Sequence, residues 1–324
     1  MGSLSPHSLY KEGTEVFGKA ANAKKPRISA MRRSEIISGY AFFFPTILGI
    51  VLLTYGQMAY SLFISFTNWD IFGNCDFVGI QNYVELLTKD IFFWKSMRQT
   101  LLYAFGSVVA AQFTALLMAL LLNVKGIGGK AIFRTLLYIP SVVPAVASNL
   151  LWLWMFNPDY GLLNAALSAV GLPKLQWIFA ESTAVPSMWI MSAWACGGPM
   201  VIYLAGLANV PTELLEACEI DGGNTWTKFR HITIPMISPT LFYNCLMGVI
   251  GGFMVFNQAY IMTNGGPNNA TLFVNFLIYR EAFSNNQFGY ASSLAWVVFI
   301  VLGLCTLLIF KLFGKKVYYG SAND

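Results

Sequence analysis

Six stretches of this chain contain no Asp, Glu, Lys or Arg: roughly Ile36–Phe66, Thr100–Leu122, Thr135–Asn157, Pro186–Leu207, Pro235–Thr263 and Gly289–Phe310. Each is long enough, at about 1.5 Å per helical residue, to cross a hydrocarbon layer about 30 Å thick. A chain that is 56% hydrophobic and only 11% charged has a membrane composition. The expected fold class is therefore an all-α membrane protein with six transmembrane helices. The expected organisation is an arm over residues 1–35, a six-span domain over 36–313 and a tail over 314–324. Within the domain, the segment 208–234 forms a polar loop.

The charges sit in the connections and orient the spans. Of twenty Lys and Arg residues, fifteen precede the first span, lie at Lys125, Lys130, Arg134, Lys228 or Arg230, or belong to the C-terminal tail. The other five are Lys89, Lys95, Arg98, Lys174 and Arg280. The positive-inside rule then places both termini and the 208–234 loop in the cytoplasm. The net charge of +5 expresses this asymmetry. It does not suggest a nucleic-acid surface, which would need a basic patch with aromatic platforms on a soluble fold. Residues 1–30 are too polar for a signal peptide and read as a flexible or surface-lying arm.

The uncharged spans bear on the source of energy. Proton- and voltage-driven proteins usually keep ionisable groups at membrane depth, despite the insertion cost. Gly128-Gly129-Lys130-Ala131 lacks the upstream Gly and the following Ser/Thr of a phosphate-binding loop. Energy must come from a partner, or transport is passive. Cys75, Cys196, Cys218, Cys245 and Cys305 suggest no disulfide framework and no metal site. His7 and His231 are isolated, and no residue constellation suggests catalysis.

The loop from Pro211 to Pro235 is polar yet patterned to fold. Pro211 suits a helix start, and Leu214, Leu215, Glu216, Ala217 and Glu219 are good helix formers. Gly222-Gly223 can close that helix at positive φ. Asn224 can cap a second helix carrying Trp226, Phe229 and Ile232 at helical spacing, and Pro235 marks a boundary at the next span. By composition alone, a hairpin that merely lies on lipid fits as well as a docking element.

A resemblance favours docking. Glu216-Ala217-Cys218, then Gly222, then Ile232-Thr233-Ile234-Pro235, is similar to the EAA loop of binding-protein-dependent ABC importers. That family's pattern is Glu-Ala-Ala, three residues, Gly, nine residues, Ile-x-Leu-Pro; Cys218 and Ile234 are the departures. The resemblance implies a type I ABC importer permease fold in a bacterial inner membrane. It makes the loop a cytoplasmic coupling helix, with Glu216, Ala217, Asp221 and Gly222 meeting an ATPase subunit. It also implies a second homologous permease subunit, two ATP-binding subunits and a periplasmic solute-binding protein. ATP and Mg would belong to the partners, with no cofactor in this chain.

Further motifs resemble the carbohydrate branch of that family. They are Gly79-Ile80-Gln81-Asn82-Tyr83, Phe133-Arg134-Thr135 with Pro140 and Pro144, and Gly161-Leu162-Leu163-Asn164. The two prolines are expected to loosen the third span near its cytoplasmic end, a kink that structure alone would explain. Thr263-Asn264-Gly265-Gly266-Pro267 resembles the branch's outer loop, which approaches the binding protein. Read locally it is a tight turn whose backbone groups remain free to bond another protein.

Alignment with maltose-type permeases places the sugar-lining positions on Ser192, Ala195, Cys196 and Pro199, and on Gly248, Gly251, Gly252 and Val255. Several are small where that branch carries bulk, which implies a wider passage. Gly248 and Gly252 also form Gly-x-x-x-Gly, and helix packing is the favoured reading for those two. Asn257, Gln258 and Tyr260 can bond hydroxyls or neighbouring helices. Trp189, Trp194 and Trp296 suit packing better than stacking on sugar. The resemblance implies uptake of a carbohydrate, such as an oligosaccharide; the chain is similar to permease subunits for alginate oligosaccharides. A permease for glycerol phosphate or another solute stays open, as does a passive channel or scaffold.

Overall fold

The computed structural model describes residues 30–73, 75–124, 126, 128–314 and 318. Most of the arm expected over 1–35, Lys125 and most of the tail expected over 314–324 lie outside the described residues. The chain divides into two compact units at Tyr60. The described part of the first unit is helical. α1 (Ala30–Ile50) runs through a wide π turn at Val51–Gly56 into α2 (Gln57–Ile64), which enters the second unit. Nearly every described residue of α1 and the π turn is exposed, which suits a run that is apolar all round.

The second unit is organised on one long helix. α3 (Gln81–Thr88) leads into α4 (Ile91–Asn123). α4 begins nine residues before the charge-free stretch, because Asp90 caps it: Oδ1 accepts the N–H groups of Phe92 and Phe93 at 2.8 and 3.1 Å. Lys95 and Arg98 thus occupy its first turns. Along α4 the buried residues Phe93, Met97, Thr100, Tyr103, Ala104 and Ser107 recur at three- and four-residue spacing and form one stripe. α4 packs against α8 (Glu181–Trp194), α9 (Gly197–Ala208) and α12 (Ser238–Phe253). α14 (Phe288–Phe313) packs on α3 and α12.

Two apolar cores lie along α4. One, nearer its start, gathers Phe93, Tyr103, Met188, Phe253, Phe273 and Leu294. The other, nearer its end, gathers Ala115, Ala119, Met200, Tyr203 and Ile237. An uncharged polar cluster ties three helices together along α4. Tyr203 donates to Gln112 Oε1 at 2.8 Å, Gln112 Nε2 donates to the Asn244 carbonyl at 3.2 Å, and Asn244 Nδ2 donates to the Pro199 carbonyl at 3.4 Å. In a bundle surrounded by hydrocarbon such bonds associate helices that have no hydrophobic reason to do so.

Only three of the six expected spans are unbroken: Ser34–Ile64, Ile91–Asn123 and Phe288–Phe313. The third expected span is α5 (Lys130–Val142) plus α6 (Ala145–Met155), bent by 98°. The sequence placed this loosening near the cytoplasmic end. Pro140 is instead carried inside α5, and the chain breaks at Val143-Pro144, where Val143 is extended and Pro144 starts the new helix. The fourth is α8 plus α9, bent by 48° at Ala195-Cys196.

The fifth is α11 (Thr225–Met236) plus α12, bent by 66°. Pro235 does not mark its boundary, because the helix continues to Met236 and bends at Ile237. Pro235 has no N–H to close a turn onto His231, and a wide π turn over Phe229–Thr233 absorbs the mismatch. A further interruption follows α12 at Met254–Phe256 before helix resumes at Asn257. Among the described residues the remaining α-helices are α7 (Leu162–Ala169), α10 (Thr212–Ile220) and α13 (Val274–Tyr279).

Candidate functional site: a cavity at three helix breaks, a capped loop and an outer turn

Backbone groups freed by a break in a membrane helix are tolerated only inside protein or beside a polar cavity. Three of the breaks converge on one such space. Val143 and Ala145 flank the break in the third span, Ala195 and Gly198 flank that in the fourth, and Gln258 follows the interruption at Met254–Phe256 in the fifth. All line a cavity of about 380 Å³, together with Pro140, Ser141, Ser148, Asn149, Met191, Ser192 and Pro199. That is near the lower end of ligand-pocket sizes. Its wall mixes hydroxyl and amide groups with small apolar ones and carries no charge. The close join between α5 and α9 explains Gly197. A Cβ there would lie 2.6 Å from the Leu137 carbonyl oxygen, and the next N–H, of Gly198, donates to Ser141 Oγ at 3.1 Å. A larger groove of about 570 Å³, between Trp94 and Trp189, is apolar apart from Arg98 and offers a hydroxylated molecule little to bond.

The eight positions aligned with sugar-lining residues divide by environment. Ser192, Ala195 and Pro199 line the cavity. Gly251 is exposed, with open space where a Cβ would be. Cys196 and Val255 are buried in the two cores. Gly252 lies against α4, where a Cβ would stand 2.7 Å from Ala104 Cα. At Gly248 a Cβ would lie 3.1 Å from the Val108 side chain and 3.3 Å from that of Gln112. The tryptophans serve packing: Trp189 lies on Gly106, Trp194 meets Trp152 edge-on at 5.6 Å and Trp296 meets Phe299 at 5.4 Å. Sequence reasoning passed over Asn149, Ser148 and Ser141. Their only local signal was polarity within a charge-free stretch.

The 208–234 loop forms a capped pair of helices. Pro211 is the residue just before α10 rather than its first, with extended ψ. At the other end Gly222 takes φ +80°. Its N–H reaches the Glu219 carbonyl at 3.1 Å, and the Gly223 N–H reaches the Cys218 carbonyl at 2.8 Å. These two bonds are the Schellman closure, and they satisfy carbonyls that a helix end otherwise leaves free. Asn224 then caps α11, accepting the Thr227 N–H at 2.9 Å. Lys228 Nζ meets Glu219 Oε2 at 2.6 Å across the turn, and this ammonium holds the Glu219 carboxyl below its usual range. Glu216, Ala217, Asp221 and Gly222 are all exposed. Beside them, Ile220 is 86% and Trp226 64% exposed, an apolar surface unusual on a polar loop.

The Thr263–Pro267 turn differs from its local reading. Its backbone groups are used within the chain. Gly266 N–H donates to the Thr263 carbonyl at 2.9 Å, Thr271 N–H to the Gly265 carbonyl at 3.2 Å, and Ala270 N–H to the Pro267 carbonyl at 2.8 Å. The buried Thr271 hydroxyl donates to the Gly266 carbonyl at 2.7 Å and shares a 2.6 Å bond with Thr263 Oγ1. Lys95 donates to the Asn268 carbonyl, and Asn268 Nδ2 donates to Glu181 Oε2 at 2.9 Å, tying the turn to α4 and α8. What the turn leaves outward is side chain, with Asn264 and Asn268 exposed.

The chain thus sets a folded polar loop among long apolar helices, several of them broken. A family model described as "Binding-protein-dependent transport system inner membrane component" matches residues 96–319, and the chain belongs to that family. It is a multi-pass inner-membrane protein and a non-catalytic permease subunit. The probable ABC transporter permease protein YesP of Bacillus subtilis (strain 168) is 38% identical over 311 residues, 95% of this chain and 99% of the relative. The multiple sugar-binding transport system permease protein MsmF of Streptococcus mutans is 33% identical over 281 residues, 86% of this chain and 95% of the relative.

Among solved structures, a chain of a bacterial alginate ABC transporter, crystallised with an alginate pentasaccharide-bound periplasmic protein, superimposes with a TM-score of 0.76. It is 20% identical, and the match covers 89% of this chain and 97% of that one. The shared property is the fold, that of a type I ABC permease.

Proposed function

We propose that this chain is the transmembrane subunit of an ATP-driven importer that moves a carbohydrate, and more narrowly an oligosaccharide, from the periplasm to the cytoplasm. The observation that carries the reading is the cavity at the three helix breaks. It is lined by hydroxyls and amides without a charge, a chemistry suited to a neutral polyhydroxylated solute. The sugar named for the MsmF relative points the same way. An acidic alginate-type oligosaccharide would need cations from a partner chain, since none lines this wall.

In this reading Ser192, Ala195 and Pro199, with Gln258, border the solute route. Glu216, Ala217, Asp221 and Gly222 meet an ATP-binding subunit, with Ile220 and Trp226 as apolar anchors beside them. The turn Thr263–Pro267 faces a periplasmic binding protein through Asn264, with Asn268 just after it. Both termini are cytoplasmic. The complete machine adds a second homologous permease and two ATPases, where ATP and Mg reside. A glycerol phosphate permease would want a cation near the phosphate. A passive channel would leave the closed and capped Glu216 loop without a task.

Vesicles reconstituted with the full complex test the reading. They should accumulate an oligosaccharide with ATP and no ion gradient. Uptake driven by an imposed pH gradient without the ATPase subunits would overturn it.

A further inference from the structure

One group on the cavity wall is unanswered by any other described residue. Asn149 lies on α6 and is 2% exposed. It lines the cavity, and its Nδ2 has no hydrogen-bond partner among the described residues. Buried amides are nearly always bonded, because an unmet donor costs free energy. The other two such atoms, Trp152 Nε1 and Trp189 Nε1, belong to rings packed against Phe156 and Gly106. Asn149 instead stands one helical turn into α6, beside Ser148 and near Ala145, whose place in the first turn gives its N–H no acceptor within the helix. Ser192 and Gln258 line the same space from the fourth and fifth spans. Uncharged polar residues thus line one partly open cavity from all three interrupted helices.

We propose that Asn149 is a solute-binding residue, its side-chain amide bonding a hydroxyl of the carbohydrate as it passes the cavity. The proposal rests on the reading that this cavity lies on the solute route. A structural role for Asn149 makes a different prediction about stability. An amide that holds the fold together destabilises the protein when removed. An orphaned amide does not, because its loss removes a buried polar atom that nothing bonds.

The test compares Asn149→Leu and Asn149→Ser in the assembled complex. Uptake of maltotriose, raffinose, arabinotriose and glycerol 3-phosphate is measured below saturation, together with the melting temperature of the solute-free complex. The expected result for Asn149→Leu is sugar uptake lowered about tenfold, the worth of one hydrogen bond of about 1.4 kcal/mol. The melting temperature should be unchanged or raised. Asn149→Ser should keep part of the uptake, because its hydroxyl can still bond. A lower melting temperature for Asn149→Leu overturns the proposal whatever the solute. Sugar uptake unchanged by Asn149→Leu also overturns it, while leaving the carbohydrate reading intact. Transport of glycerol 3-phosphate alone by the unaltered complex defeats the carbohydrate reading, and the sugar contact falls with it.

Discussion

Gly248, Gly251 and Gly252 share one helix, yet substitution should affect them in a fixed order. At Gly252 an added Cβ would stand 2.7 Å from Ala104 Cα and 2.8 Å from Ala104 Cβ. The nearer atom is backbone and cannot rotate away. Restoring an ordinary contact means separating α12 from α4 by about 1 Å. Overpacking of this kind costs about 1–3 kcal/mol, and the better helix propensity of Ala returns at most about 1 kcal/mol. Gly252→Ala should therefore lose up to about 2 kcal/mol net. At Gly248 the neighbours at 3.1 and 3.3 Å are the side chains of Val108 and Gln112, which can yield, so the loss should be smaller. At Gly251 nothing lies within 4 Å, and Ala should be neutral or stabilising. The assay is the melting temperature of the assembled complex, paired with uptake of an oligosaccharide size series. Gly252→Ala should reduce uptake of all lengths in step with assembly. Equal losses at Gly251 and Gly252, or selective loss of long sugars in a fully stable Gly252→Ala complex, would refute the packing argument.

Three other outcomes follow from the loop and the outer turn. Gly222→Val puts a β-branched residue at φ +80°, a strain that should open the Schellman closure; copurification of the ATPase subunit should fall while membrane insertion survives. Glu219 has its carboxyl held down by Lys228, so any stability from the pair is present above the ordinary carboxylate value and lost as pH falls through the lowered one. The exposed pair contributes little. ATPase binding should be flat over about pH 6–8, and a steep change there in the intact chain but not in Lys228→Ala would contradict this. Thr271→Val removes the hydroxyl bonded to Gly266 and Thr263, so the complex should lose about 1–3 kcal/mol and expose the Gly265–Asn269 turn to faster amide exchange; unchanged exchange would show that the turn does not depend on that hydroxyl.

The spans were legible because charge in hydrocarbon is costly, so Lys95, Lys130 and Lys228 fall in the first turns of their helices and leave the rest apolar. The capped loop was legible for a similar reason, since Gly222 and Asn224 act on atoms a few residues away. The breaks were not. Pro140 and Pro144 are the same residue type four positions apart, yet one is carried inside α5 and the other starts α6. At that join α9 meets α5 at Gly197, a contact between distant segments that a local reading does not contain. The break at Ala195-Cys196 has no proline at all. The outer turn was misread because its backbone partners include Ala259 and Thr271, outside the five-residue motif. Asn149 could not be singled out locally, because what distinguishes it is the absence of a partner, and that is a property of the assembled wall.

The closed turn at Gly222, the cap at Asn224 and the Lys228–Glu219 contact join α10 and α11 end to end. α11 reaches the 66° bend at Ile237, a side chain 1% exposed and held in the core. Twelve residues between Thr225 and Met236 make an arm of about 18 Å. A stiff arm on a fixed fulcrum converts travel into rotation. A sideways push of about 3 Å at its free end turns it by about 10° about Ile237. The same push on a slack tether would be spent in the tether.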